Sequence, residues 1–241
     1  MTRMGADTSS APIRVIGVIR GYSQFLAKLS SMADDRVTWI HHSFYLALFT
    51  FVFHLLQCSA GLLLWTKTQS PSLISYALDA LVSAFATAIL VLRVQRHQRP
   101  DIRGGEEKWR YRAVAYGYIG GASIAFYLGA YTFWAAWAGP RPARTVLGIV
   151  LAAVSMLAIP IMGSYMKVLA VELRSQTLKS AAIFTFGNSY LSMVLLIAML
   201  LNAGMDMRWG DPLGALVMFP FMAQKGIQIL LEEGKHEYVE D

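Results

Sequence analysis

The chain has 241 residues, of which 56% are hydrophobic and only 15% charged, with a formal net charge of +6. Soluble domains carry roughly 25% charged residues, so this composition excludes an ordinary soluble domain and implies an integral, multi-pass membrane protein. The positive charge is not a nucleic-acid signature, because it sits in loops between apolar stretches; with a single cysteine, Cys58, neither an internal disulfide nor a multi-cysteine metal site can form.

Residues 1–36 precede the first apolar span and read as a cytoplasmic segment. They lack a continuous apolar core and a small-x-small cleavage site, so they do not resemble a cleaved signal. Within them, Arg14, Gly17, Gly21, Gln24 and Lys28 fall on one helical face, with Val15, Val18, Ile19, Tyr22, Phe25, Leu26 and Leu29 on the other. This period predicts an amphipathic helix over 13–30, lying on the membrane surface or packed against the end of the bundle.

Six apolar stretches follow, at about 39–65, 72–93, 113–137, 145–167, 178–201 and 211–231, each reaching or exceeding the ~20 residues a spanning helix needs. The expected fold is an all-α membrane protein, a six-helix transmembrane domain over 37–231 with a short acidic tail at 232–241. Span one carries His54, Gln57 and Cys58, with His54 and Cys58 on one face by their four-residue spacing. Span two, SPSLISYALDALVSAFATAILVL, holds Asp79 in its interior, with Ser75 and Ser83 one turn to either side. A charge near mid-bilayer costs about 3 kcal/mol or more, so such a residue faces a bundle interior or a wet cavity and marks a site on an ion or proton path.

The loop after span two holds Arg93, Arg96, Arg99, Arg103, Lys108, Arg110 and Arg112. Lys167, Arg174 and Lys179 lie between spans four and five, and five further basic residues precede span one. The opposite loops carry only Lys67, Arg141, Arg144 and Arg208, so the positive-inside rule places both termini in the cytoplasm. Span three repeats small residues at Gly117, Gly121, Ala125 and Gly129, which predicts close helix packing, either within one chain or at a homodimer seam. Pro160 and Pro220 interrupt spans four and six. No Gly-x-Ser-x-Gly, His-Glu-x-x-His or Walker lysine loop appears, so the chain is not read as an enzyme.

Span six opens RWGDPLGALVMFPFM, and its Trp-x-Asp-Pro resembles the start of the last helix in cation diffusion facilitators, the cation efflux superfamily. Span two with its serine-led approach resembles that family's second helix, and span five, SQTLKSAAIFTFGNSYLS, its fifth. The likeness covers about 40–231 and is closest to the divergent branch without a cytoplasmic metal-binding domain. It implies transport of a divalent metal cation such as zinc and a homodimer of six-helix protomers; the single carboxylate of Asp79 at the midplane adds the expectation of coupling to protons. The family's second helix carries two acidic ligands four residues apart, and its fifth a His-x-x-x-Asp pair. Here Asp79 matches the first acidic ligand, while Ser83, Phe184 and Asn188 stand where the other three belong.

The chain supports the register by itself: placing Ser70 on Ser175 superposes Leu73 on Leu178, Asp79 on Phe184 and Ser83 on Asn188. Oppositely directed repeats with a midplane site are a known transporter arrangement. Zinc takes about four ligands drawn from Cys, His, Asp and Glu. Asp79 with Ser83 and Asn188 offers one carboxylate and neutral oxygens, which suits a harder, weakly held cation better. His54 and Cys58 would extend the set if spans one and two meet. If Asp79 instead faces Phe184 in a dry bundle, it becomes a structural acid donating to Asn188 or Ser83. The alternative function is a transport-incompetent relative serving as a membrane partner or scaffold subunit.

Overall fold

The computed structural model describes residues 11–97, 108–136, 145–173, 175–205 and 207–237, the side chains of 11–37, 96–97, 108, 176–177 and 232–237 excepted. Six helices fill these ranges: α1 Ala11–Thr68, α2 Pro71–His97, α3 Lys108–Ala135, α4 Val146–Glu172, α5 Gln176–Gly204 and α6 Gly210–Glu237. Each contains a segment long and apolar enough to cross a membrane, so the six spans stand, and the protein is an integral, multi-pass membrane protein. Two compact units divide between His42 and Ser43. In the first the backbone is helical from Ala11, and the rings of Trp39 and His42 meet edge to face at 6.0 Å. The polar and apolar faces expected for 13–30, and the acidic tail, lie outside the described side chains.

In the second unit α3 packs most extensively on α6 and α4 on α5, while α2 lies against α3, α5 and α6. Leu73 and Tyr76 of α2, Leu191 and Leu195 of α5, and Met218 and Met222 of α6 make the central core. The outward faces are apolar too: Val146, Leu147, Leu157 and Ile161 of α4 are each at least two-thirds exposed. Hydrocarbon is the solvent that suits them.

The small residues of span three pack inside the chain. A Cβ at Gly117 would meet Val82, one at Gly121 would meet Met222 and Leu78, and one at Gly129 would meet Ala215 and Leu216. Ala125 is fully buried. This corrects the homodimer-seam reading of the stripe: its closeness serves α2 and α6 of the same protomer.

Local chemistry sets where α2 and α6 begin. α1 is followed by Gln69, whose φ of 54° is the left-handed conformation that commonly stops a helix. Ser70 then caps α2, its hydroxyl accepting from Leu73 N at 3.3 Å, and Pro71 occupies the first helical position, where a missing N–H costs nothing. The same hydroxyl donates to Asp211 Oδ1 at 2.9 Å, and Ser72 donates to that oxygen from both backbone and side chain. A buried carboxylate thus sits between the N-termini of α2 and α6, where both helix dipoles favour it. The two helices start side by side and run parallel. Asp79, seven residues after Ser72, lies about 10 Å down α2 at ~1.5 Å per residue.

α6 approaches α3 so closely at Gly226 that a Cβ would lie 2.7 Å from the Ala115 carbonyl oxygen. Gly226→Ala should therefore lower stability by about 1–3 kcal/mol. Gly120→Ala, with nothing within 4 Å, should be neutral or stabilising by up to ~1 kcal/mol. Thermal unfolding in detergent separates the two, and equal effects would refute this packing.

Candidate functional site

Asp79 is almost fully buried, and its partner is a residue of α6. The Nζ of Lys225 stands 2.8 Å from Asp79 Oδ1, an ion pair with both side chains buried. Lys225 also donates to Asn188 Oδ1 on α5. Its ammonium lies 5.3 Å from the centre of the Tyr118 ring on α3, within cation–π range. Lys225 starts fourteen residues below Asp211. It reaches back to Asp79 because helical side chains lean toward the N-terminus and lysine has a flexible four-carbon stem. Gly187 on α5 leaves room for that stem, since a Cβ there would sit 3.3 Å from Lys225 Cε.

The predicted positions meet in part. Asn188 Nδ2 donates to Ser83 Oγ at 3.0 Å, and Ser83 shares a 2.9 Å hydrogen bond with the Tyr118 hydroxyl. The α2/α5 register thus pairs the residues it superposes at this level. Asp79 joins the group through Lys225, which bridges it to Asn188. Two expectations are corrected. Asp79 is one half of an ion pair and accepts from the Lys225 ammonium, which replaces the conditional reading of a structural acid donating to Asn188 or Ser83. Phe184 packs instead into an apolar cluster with Ile89, Tyr118 and Ile229.

His54 and Cys58 are also buried. Among the described residues, however, no group of three or more His, Cys, Asp or Glu side chains could hold a metal ion. His54, Cys58 and Asp79 therefore do not form the ligand set that shared faces allowed. His54 belongs to a different construction. Gln57 Nε2 donates to the Tyr76 hydroxyl at 2.7 Å and to Ser155 Oγ at 2.8 Å, so its Oε1 accepts from His54 Nδ1 at 2.8 Å. Tyr76 then donates to Ser192 at 3.1 Å, and Ser192 to the Asn188 carbonyl at 3.0 Å. This chain of hydrogen bonds links α1, α2, α4 and α5 and fixes the backbone that carries Asn188. It satisfies polar groups whose burial would otherwise cost ~1–3 kcal/mol each.

Lys225 is the residue that sequence reasoning misses. The signal is present: FPFMAQKGIQILL places one cation inside an apolar run, the same expense that singles out Asp79. Reading lysines only as loop markers hides it. Tyr76 and Tyr118 give no such signal, because a tyrosine in a span is ordinary until its partner is known.

Removing one member of a buried pair leaves the other uncompensated, at a cost of about 3–5 kcal/mol. Lys225→Met should therefore destabilise by about that much. Combined with Asp79→Asn, it should cost less than the sum of the two single changes. Unfolding of the four proteins in detergent measures the coupling, and additive costs would show that the pair carries no interaction energy.

No curated protein matches the chain. The family model described as the cation efflux transmembrane domain matches residues 47–235, most of the chain and the whole of spans two to six. The chain therefore belongs to the cation efflux family, a family of cation transporters, through a transmembrane domain whose central carboxylate is paired with a lysine of the last helix.

Proposed function

We propose that this protein moves a cation across its membrane through the site around Asp79, and that the cation loads by displacing the Lys225 ammonium. The observation that carries this reading is the position of Lys225: a positive charge sits at Asp79 and Asn188, where the family resemblance places ligands for the transported ion. A position that holds one cation stably has the charge and donor chemistry to hold another. The incoming ion would take Asp79 and Asn188, with Ser83 steadying the Asn188 amide. Zinc fits poorly, because the site supplies one carboxylate and neutral oxygens in place of about four Cys, His or acidic ligands. A homodimer of six-helix chains belongs to the same proposal and rests on the resemblance alone.

The same observation favours a second reading. A site already filled and internally neutralised has less need of an ion, as in a transport-incompetent subunit that stabilises or recruits a membrane partner.

Purified protein in liposomes decides between them. A cation gradient should drive uptake, with a pH-sensitive dye in the lumen reporting whether protons move in exchange. Asp79→Asn should reduce uptake to the level of empty vesicles. Equal uptake by the variant would remove Asp79 from the pathway. No uptake by folded wild type, with a partner captured by crosslinking in its native membrane, would replace transport by the subunit reading.

A further inference from the structure

The surroundings of the Lys225 Nζ have a definite chemistry. Asp79 supplies a carboxylate oxygen at 2.8 Å, Asn188 an amide oxygen, and Tyr118 the face of its ring at 5.3 Å. Two oxygens that accept N–H bonds, and an aromatic face that attracts a cation without binding through a lone pair, suit an ammonium group. They suit a divalent metal badly. Such an ion wants six or more oxygens, or four Cys, His and carboxylate ligands, and a ring face is neither. The charge agrees. Asp79 balances one positive charge, and the other buried acid among the described residues, Asp211, is held by Ser70 and Ser72 at the start of α2. Of the two acceptors, Asn188 is itself braced, its amide nitrogen donating to Ser83 and Ser83 sharing a hydrogen bond with Tyr118, so this acceptor is held by contacts other than the lysine.

On this geometry, and deepening the transport reading above, we propose that the site recognises a monovalent primary ammonium ion, and that Lys225 is its covalently tethered occupant. The ion that exchanges with Lys225 would then be a small alkylammonium or ammonium ion, set apart from divalent metals by the single carboxylate and the Tyr118 ring.

Chemical rescue tests this without relying on flux. Lys225→Ala removes the stem beyond Cβ and leaves room for propylammonium, which restores the missing atoms. Adding propylammonium chloride to the full-length variant in detergent should raise its melting temperature saturably, by at least about 2–4 °C. Magnesium, manganese and zinc chlorides should not match it. Asp79→Asn combined with Lys225→Ala removes the carboxylate and should show no rescue. If Lys225→Ala does not fold alone, growth and purification with propylammonium should recover it. Failure to recover it while the double variant folds would overturn the proposal. A larger stabilisation by any divalent ion, or equal rescue with and without the Asp79 carboxylate, would also overturn it. Rescue without any uptake in liposomes would keep the ammonium site and reject transport; uptake of a divalent ion without rescue would do the reverse.

Discussion

A charge inside a bilayer helix is tolerated only with a partner, and the contact between Asp79 and Lys225 is the partnership on which this bundle turns. Each side chain alone would cost about 2.5–3.5 kcal/mol at a helix centre. Together they draw α2 and α6 into contact and fix the Asn188 amide, whose oxygen faces the ammonium and whose nitrogen faces Ser83. The pair is no proof of high stability, since well-packed apolar residues often serve as well. What it does in this structure is tie α2 to α6 at the level of Asn188.

Two supports hold that arrangement. At one end Asp211 joins the starts of α2 and α6, so the two helices that carry the ion pair share a fixed origin. On the other side the hydrogen bonds from His54 through Gln57, Tyr76 and Ser192 secure the backbone of Asn188. The motifs behind the family resemblance, the serine-led entry to α2 and the Trp-x-Asp-Pro entry to α6, are thus halves of one contact.

Much of the fold is legible in the sequence because membrane spans are written in a strong code. Apolar runs of fixed length give the six helices, and the small residues of span three announce close packing. The partner of that packing is not legible: Gly121 gives the same signal whether it meets Met222 or a second protomer. At the site, Asp79 stands out by cost, and the α2/α5 register brings Ser83 to Asn188. Lys225 escapes because no local spacing ties it to Asp79. Their meeting depends on where α6 begins, how it runs beside α2, and how far a lysine reaches toward its own N-terminus. His54 and Cys58 mislead for the converse reason, since a shared face on one helix says nothing about what that face meets.

The separation of the paired charges along the chain bears on how the protein is made. Asp79 precedes Lys225 by 146 residues. At ~5–20 residues per second, a ribosome needs about 7–30 s to pass from one to the other. A helix forms in about a microsecond, so α2 is complete and seeking the bilayer long before its counter-charge exists. During that interval Asp79 must remain in the insertion machinery, or enter the membrane beside neutral neighbours such as Ser83 and Tyr118. Only the arrival of α6 supplies the cation, so the Asp79–Lys225 pair cannot form before that helix has been made.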